Sequence, residues 1–208
     1  ARSEGLTNLI IRQEAILDTP GNLVLNVANH ADMGVSSLLN FNPENIKHDD
    51  YWRTRTDLYH EERIEVKVER LDKILKELAM ESVEFIKIDA QGVDLKVLDS
   101  LGEFRPKAGM LEAATTRFKT LYVGEPDLLE TLTRLRASGF EVWDIKPNDP
   151  ACAEVNVYFA DESSDIREIE SRYSLLEISI YGEKHYWFAN ASSADEAERR
   201  AYAGLDSE

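Results

Sequence analysis

The stretch Phe85-Ile86-Lys87-Ile88-Asp89-Ala90-Gln91-Gly92-Val93-Asp94-Leu95 runs from an apolar strand into an acid, through a glycine turn and into a helix. Val83 to Ala90 alternates as a strand, and Val93, Val97, Leu98 and Leu101 recur at helical spacing behind it. In open α/β sheets ligands gather at the carboxyl ends of strands, where the N-termini of the following helices also point. Asp89 therefore stands where a carboxylate orients a polar ligand or accepts a proton, and Gln91 offers both a donor and an acceptor. The same acid has a structural use, as a cap for the backbone N–H groups of the next helix. From the residues alone both uses stay open.

The same alternation continues outward from this stretch. Upstream, Ile64 to Val68 reads as a strand, followed by Leu71, Ile74, Leu75 and Leu78 at helical spacing. Downstream come a short strand over Gly109 to Ala113 and a helix from about Asp127 to Ser138, with Gly139 suited to its C-terminus. Strands follow over Phe140 to Ile145 and Glu154 to Phe159. Strands alternating with helices predict an α/β fold with a mainly parallel sheet covered on both faces. At the N-terminal end, Thr7 to Leu17 reads as a strand entering a turn at Asp18 to Gly21, and Asn22 to Val27 as a second strand. Ala28 to Glu62 lacks periodicity, the mark of a lid or binding loop inside a compact domain. A hairpin (Leu175 to Tyr181, Lys184 to Ala189) and a charged helix (Ser193 to Ala203) close the chain, so residues 1–162 read as one domain and 163–208 as an appendage.

Composition excludes several functions. Forty acids against 24 Lys and Arg leave a net charge of −16 over 208 residues, which repels a phosphate backbone and argues against nucleic acid and anionic membrane as partners. No apolar run approaches the ~20 residues of a membrane span, and the first residues lack the layout of a signal peptide, so a cytoplasmic location is expected. Cys152 is the only cysteine, which rules out an internal disulfide and a cysteine zinc site. His48-Asp49-Asp50 and His60-Glu61-Glu62 have the chemistry of metal ligands. Acids in a polar loop are more often simply solvated, and no metal is expected. Tyr51-Trp52 suits a stacking platform for a sugar ring, or packing of the loop.

The motifs resemble those of the FkbM-type methyltransferases. Phe85 to Gly102 (FIKIDAQGVDLKVLDSLG) is similar to the family hallmark, in the branch with Gln after the Lys-Ile-Asp. Further segments follow in the family's order: Gly34-Val35-Ser36-Ser37-Leu38, Val66 to Asp72 ending in Leu-Asp, Met110-Leu111-Glu112, and Leu121-Tyr122-Val123-Gly124-Glu125-Pro126 with Gly139-Phe140 downstream. The match covers roughly Leu9 to Phe159.

The resemblance implies a Rossmann-like class I sheet of order 3-2-1-4-5-7-6. It also implies an S-adenosylmethionine-dependent O-methyltransferase acting on a hydroxyl of a sugar, glycolipid or natural product. By that resemblance the catalytic residues are Asp89, aligning or deprotonating the acceptor hydroxyl, with Gln91 and Glu112. Glu14, Ala15, Asp89 and Gly92 fall to the cofactor, and Tyr122, Tyr51 and Trp52 to the acceptor, while a homo-oligomer stays open. The sequence departs from the family in one respect: its ten glycines include no cofactor-binding glycine loop. Strands 1 and 2 are therefore expected to be missing, with the chain starting at strand 3 and Thr7 to Ile11 left without a neighbour in the sheet. That departure motivates an alternative, a non-catalytic degenerate domain acting as a protein-interaction module. A metal-dependent enzyme built on the two His-acid triplets is a third reading.

Overall fold

The computed structural model describes residues 8–148 and 151–172, apart from 31 and 170. In chain order the strands are β1 (Ala15–Ile16), β2 (Gly21–Val27), β3 (Glu62–Glu69), β4 (Val83–Ile88), β5 (Pro106–Ala114), β6 (Phe140–Pro147) and β7 (Glu154–Asp161). The α-helices are α1 (Pro43–His48), α2 (Leu71–Glu77), α3 (Asp94–Asp99) and α4 (Leu128–Ala137), and single 3₁₀ turns form at Met33–Val35 and Trp52–Thr54.

Four strands form a sheet of order β4-β5-β7-β6. β4 and β5 are parallel, while β7 runs antiparallel to both of its neighbours. The order is that of strands 4, 5, 7 and 6 in the expected sheet. β4, β5 and β6 share one direction, in keeping with the mainly parallel sheet expected, and only β7 departs: β6 turns straight back into β7 without a crossover helix, so β7 slots between β5 and β6 in the opposite direction. α3 and α4 lie on one face. There Ile86, Ile88, Leu111, Val155, Val157 and Phe159 pack with Leu95, Leu98, Leu132 and Leu135 in the main core. On the other face Ala108 and Ala160 pack against Ile169, with Phe85, Trp143 and Ile166 beside them. Residues 166–169 thus lie against the sheet, beyond the boundary expected at 162.

A separate three-stranded sheet has order β1-β3-β2, with β1 parallel and β2 antiparallel to β3. Here the structure corrects the reading. Thr7 to Ile11 was expected to be a strand, yet residues 8–14 are irregular, and Leu9, Ile10 and Ile11 are 51, 59 and 76% exposed. The ladder begins only at Ala15, opposite Val68, because there the chain first meets the end of β3. Leu17 and Val68 join the main core and tie the two sheets together. The Ala28–Glu62 segment is more ordered than expected. It holds α1, whose first turn is capped by Asn42 accepting from the Asn45 N–H, and Trp52 is buried. The C-terminal hairpin and helix expected after residue 174 lie outside the described residues.

Candidate active site

The site grows from the end of β4. Ile88 is its last ladder residue, and the chain then turns sharply, with Gln91 and Gly92 at φ +49° and +90°. A side chain at a left-handed position costs about 1–2 kcal/mol, so something must hold Gln91 there. The buried Ser37 hydroxyl donates to the Gln91 carbonyl at 2.7 Å. The Gln91 side-chain amide donates to Glu112 Oε2 at 2.9 Å, and its Oε1 lies 2.9 Å from the Tyr122 hydroxyl. That hydroxyl is also 3.0 Å from the Val35 carbonyl, so its one proton is shared between two acceptors. Gly92 is needed for closeness as well as for its angle. A Cβ there would come within 3.1 Å of Leu39 Cδ1 and 3.2 Å of Tyr122 Cδ2.

The turn leaves Asp89 free of the helix. Its carboxylate receives Lys87 Nζ at 2.9 Å and, at 3.4 Å, the Gln91 amide. The helix-cap reading of Asp89 does not hold: α3 has Val93 at its N-cap, with no side-chain cap, and Asp94 accepts the Ala90 N–H instead. Asp89, Gln91 and Glu112 line one cavity of about 280 Å³ together with Tyr51 and Trp52. Four carboxylates face it, from Asp32, Asp89, Glu112 and Glu154. Among the described residues its one lining cation is Arg55, which is already clasped by Asp32 and Asp57 at 2.9 and 2.7 Å.

Burial here works against charge. Glu112 accepts from both the Gln91 and the Asn148 amides. Its carboxyl is still held well above the usual range, by burial first and then by the neighbouring charges of Glu154, Asp89 and Asp94. Beneath the turn, burial pushes Asp94 up to about 6 and Glu125 up to about 7. Glu125 also receives the Tyr122 N–H at 2.9 Å.

The other residues expected at the site scatter. Tyr122 is fully buried and meets the cavity lining through its hydroxyl contacts with Gln91 and Val35. Trp52 is anchored by its indole N–H donating to the Lys119 carbonyl at 2.6 Å, and Tyr51 stacks on Phe118 with ring centroids 4.6 Å apart. The pair is therefore packed into the loop and also lines the cavity. Glu14 lies in a separate surface recess with Arg12 and Lys67, where hydrogen bonds from Arg12 and its own backbone hold it down to about 2. Ala15 pairs with Val68 in β1. The two His-acid triplets are used up structurally. Asp49 accepts from the N–H groups of Tyr51, Trp52 and Lys119, while Glu61 takes those of Asn29 and His30. His60 donates to the Val35 carbonyl and stacks on Phe41. Among the described residues no group of His, Cys, Asp or Glu is arranged to hold a metal ion.

Sequence reading missed Asp32, Arg55, Asn148, Glu154 and Asn156, all of which line the cavity. Asn156 and Glu154 were legible in part. They are the polar residues that alternate with Val155 and Val157 on β7, where a strand buried on both faces should carry apolar residues throughout. Asp32, Arg55 and Asn148 lie in irregular chain with no pattern to mark them.

A family model described as the methyltransferase FkbM domain matches residues 15–142, more than half of the chain. Neither a curated protein nor a solved structure matches it. Among the described residues no helix is long and apolar enough to cross a membrane.

Proposed function

The chain belongs to the FkbM methyltransferase family, and from that premise we propose that the cavity beside Asp89 receives a hydroxyl-bearing acceptor for S-adenosylmethionine-dependent O-methylation. The observation that carries the reading is the linked set Asp89–Gln91–Glu112, held between the carboxyl end of β4 and its neighbour β5 and opening on the same cavity as Tyr51 and Trp52. Asp89 accepts the acceptor's hydroxyl proton at its carboxylate. Lys87 and Gln91 fix the orientation of that carboxylate, and the aromatic pair offers an apolar wall to the acceptor's ring. Positioning and partial deprotonation are the levers a protein has over such a reaction.

S-adenosylmethionine, when bound, supplies a methyl carbon on a positively charged sulfur. The chemistry of the cavity fits that group in part: Asp89 and its neighbouring acids complement a cation. Glu14 lies in another recess with its carboxylate held by Arg12, so its assignment to the cofactor has no support in the geometry. The acceptor class, a sugar, glycolipid or natural-product hydroxyl, follows the family resemblance and the aromatic wall.

The test uses methyl-labelled S-adenosylmethionine with a panel of hydroxylated sugars and natural products. Asp89→Asn should lower methyl transfer by about 10²–10⁴-fold, the usual contribution of a general base, while circular dichroism stays unchanged. Undiminished transfer by a folded Asp89→Asn protein would remove Asp89 from the chemistry. Absence of both S-adenosylmethionine binding and transfer would favour the interaction-module alternative.

A further inference from the structure

The small sheet ends on an open edge. β2 gives one side of its backbone to β3, and on the other side its partner among the described residues is Ser37, which exchanges backbone hydrogen bonds with Asn26 at 2.9 and 3.0 Å. Along an antiparallel ladder of unbroken register, alternate residues turn their N–H and C=O to the same side. Asn26 turns outward, so Val24 and Asn22 do too, and among the described residues their backbone groups meet no partner there. One step further back, Pro20 has no N–H to offer. The open stretch is therefore Gly21–Leu25, closed at one end by Pro20 and at the other by Ser37. Edge strands are ordinarily guarded by charges, prolines or bulges. This stretch has none of them: Thr19 to Asn29 holds no charged residue in a chain that is 31% charged, whereas the neighbouring β3 carries Glu62, Arg63, Glu65, Lys67 and Glu69.

We infer that β2 pairs antiparallel with β2 of a second copy of this chain, on a two-fold axis at Leu23, so that the two small sheets join into one. Charge and register select this occupant. Two bodies of net charge −16 repel each other, and an uncharged edge is where they can approach. Moving the axis toward the N-terminus sets Val24 or Asn22 opposite Pro20, which cannot donate. Moving it toward the C-terminus sets one of them opposite Asn26, whose backbone Ser37 already holds. With the axis at Leu23, Asn22 and Val24 of one copy exchange N–H···O=C bonds with Val24 and Asn22 of the other, and every open donor and acceptor of the stretch is satisfied. The same register sets Leu25 opposite Gly21, where there is room for it, and Leu23 opposite its own counterpart in a non-hydrogen-bonded pair, where side chains come closest. The apolar strip of Leu23, Val66, Leu25 and Ile64 then runs on into its counterpart. Before Gly21 the chain crosses the end of β3 toward β1, so it leaves the seam clear. A seam this short falls below the size of a permanent interface, so the pairing is reversible and dilute protein is monomeric. The inference is independent of the methyl-transfer reading.

Sedimentation velocity on the 208-residue chain, over about a hundredfold range of concentration, reads the association directly. The wild type should pass reversibly from monomer to dimer. Leu23→Lys sets like charges face to face at the axis, and Val24→Pro removes an outward N–H that a lone edge strand can spare. Each should weaken the dimer about tenfold or more while circular dichroism stays unchanged. Leu23→Lys and Leu23→Glu, each monomeric alone, should associate when mixed, because the register places the two substituted residues opposite each other. If Val24→Pro fails to fold, the two Leu23 variants decide. A wild type that stays monomeric throughout, or a dimer that survives Leu23→Lys, overturns the inference, and so does a Leu23→Lys and Leu23→Glu mixture that does not associate. Slow hydrogen exchange at the Asn22 and Val24 amides of dilute, monomeric protein would also overturn it, by showing that the chain covers this edge itself.

Discussion

On β7 every residue from Val155 to Ala160 is buried, whereas on β2 every residue from Gly21 to Val24 is exposed, although both strands carry bulky apolar side chains. The difference lies in what surrounds each strand. β7 has a strand on either side, helices α3 and α4 over one face and residues 166–169 against the other. β2 is an edge strand with β3 as its only ladder neighbour, and Leu23, Val24 and Ile64 stay 43, 39 and 40% exposed. Apolar content marks a strand, but burial depends on whether other elements cross it. The cavity sits at the end of the well-buried sheet, where a rigid frame sets the spacing of Asp89, Glu112 and Asn156.

The largest test of this contrast is truncation at the centre of the buried sheet. Phe159 is fully buried, lies edge-on to Phe140 with centroids 5.0 Å apart, and covers Gly109, where a Cβ would collide with it and with Ile86. Phe159→Ala should cost about 3–5 kcal/mol in urea unfolding. A loss below 1 kcal/mol would mean that the four-stranded sheet is not the stable half.

A second test reads the buried acids under the turn. Burial raises Asp94 to about 6, above the ~3.9 of an unfolded chain, so the folded state favours the protonated form. Its contribution to stability is complete below about pH 4 and disappears as the pH rises through 6. Relative to Asp94→Asn, the wild type should lose on the order of 2–3 kcal/mol between pH 4 and pH 7. Parallel stability profiles for the two proteins would show that Asp94 is not desolvated. Glu125, raised to about 7, acts in the same direction over a slightly higher window.

How much of this was visible beforehand divides along the same line. β4, α3, β5 and α4 could be read within a few residues, because each is crossed by others and so carries a full apolar period. Asp89, Gln91 and Glu112 could be read because they interrupt or end such runs, and they do meet in one cavity. Thr7 to Ile11 misled for the opposite reason: its apolar residues resemble a strand, but nothing pairs with them among the described residues. Asp32 and Arg55 were beyond reach because a long loop brings them to the cavity from 23 residues apart, through contacts with no local signature. The partnership of Asn156 with Glu112 needs the antiparallel register of β5 and β7, which no periodicity specifies.

A third test concerns the glycine of the turn. Gly92→Ala adds a Cβ at φ +90° and within 3.2 Å of Tyr122, so it should cost about 1–3 kcal/mol. Because Tyr122 and Gln91 share a hydrogen bond, it should also weaken acceptor binding. A neutral effect on both would mean that the turn tolerates a side chain and that Gln91 is not held in place by its packing.

The smallest expected effect bears on the exposed sheet. Leu23 faces Val66 across the β2–β3 pair, and Ile64 faces Leu25 on the same side, so the four residues form an apolar strip. Leu23→Thr and Ile64→Thr keep or approach the β-branched shape suited to a strand while removing apolar surface. Where water already covers much of a side chain, little burial is lost, and each change should move stability by no more than about 0.5 kcal/mol. The same pair of substitutions on β7, Val155→Thr and Val157→Thr, places a hydroxyl in a fully buried position and should cost several times more. Equal costs on the two strands would break the contrast, because Leu23 and Ile64 would then have to be covered in the intact protein in solution. A large difference would keep it, and would mark the exposed strip as surface that can be altered without disturbing the frame of the Asp89 cavity.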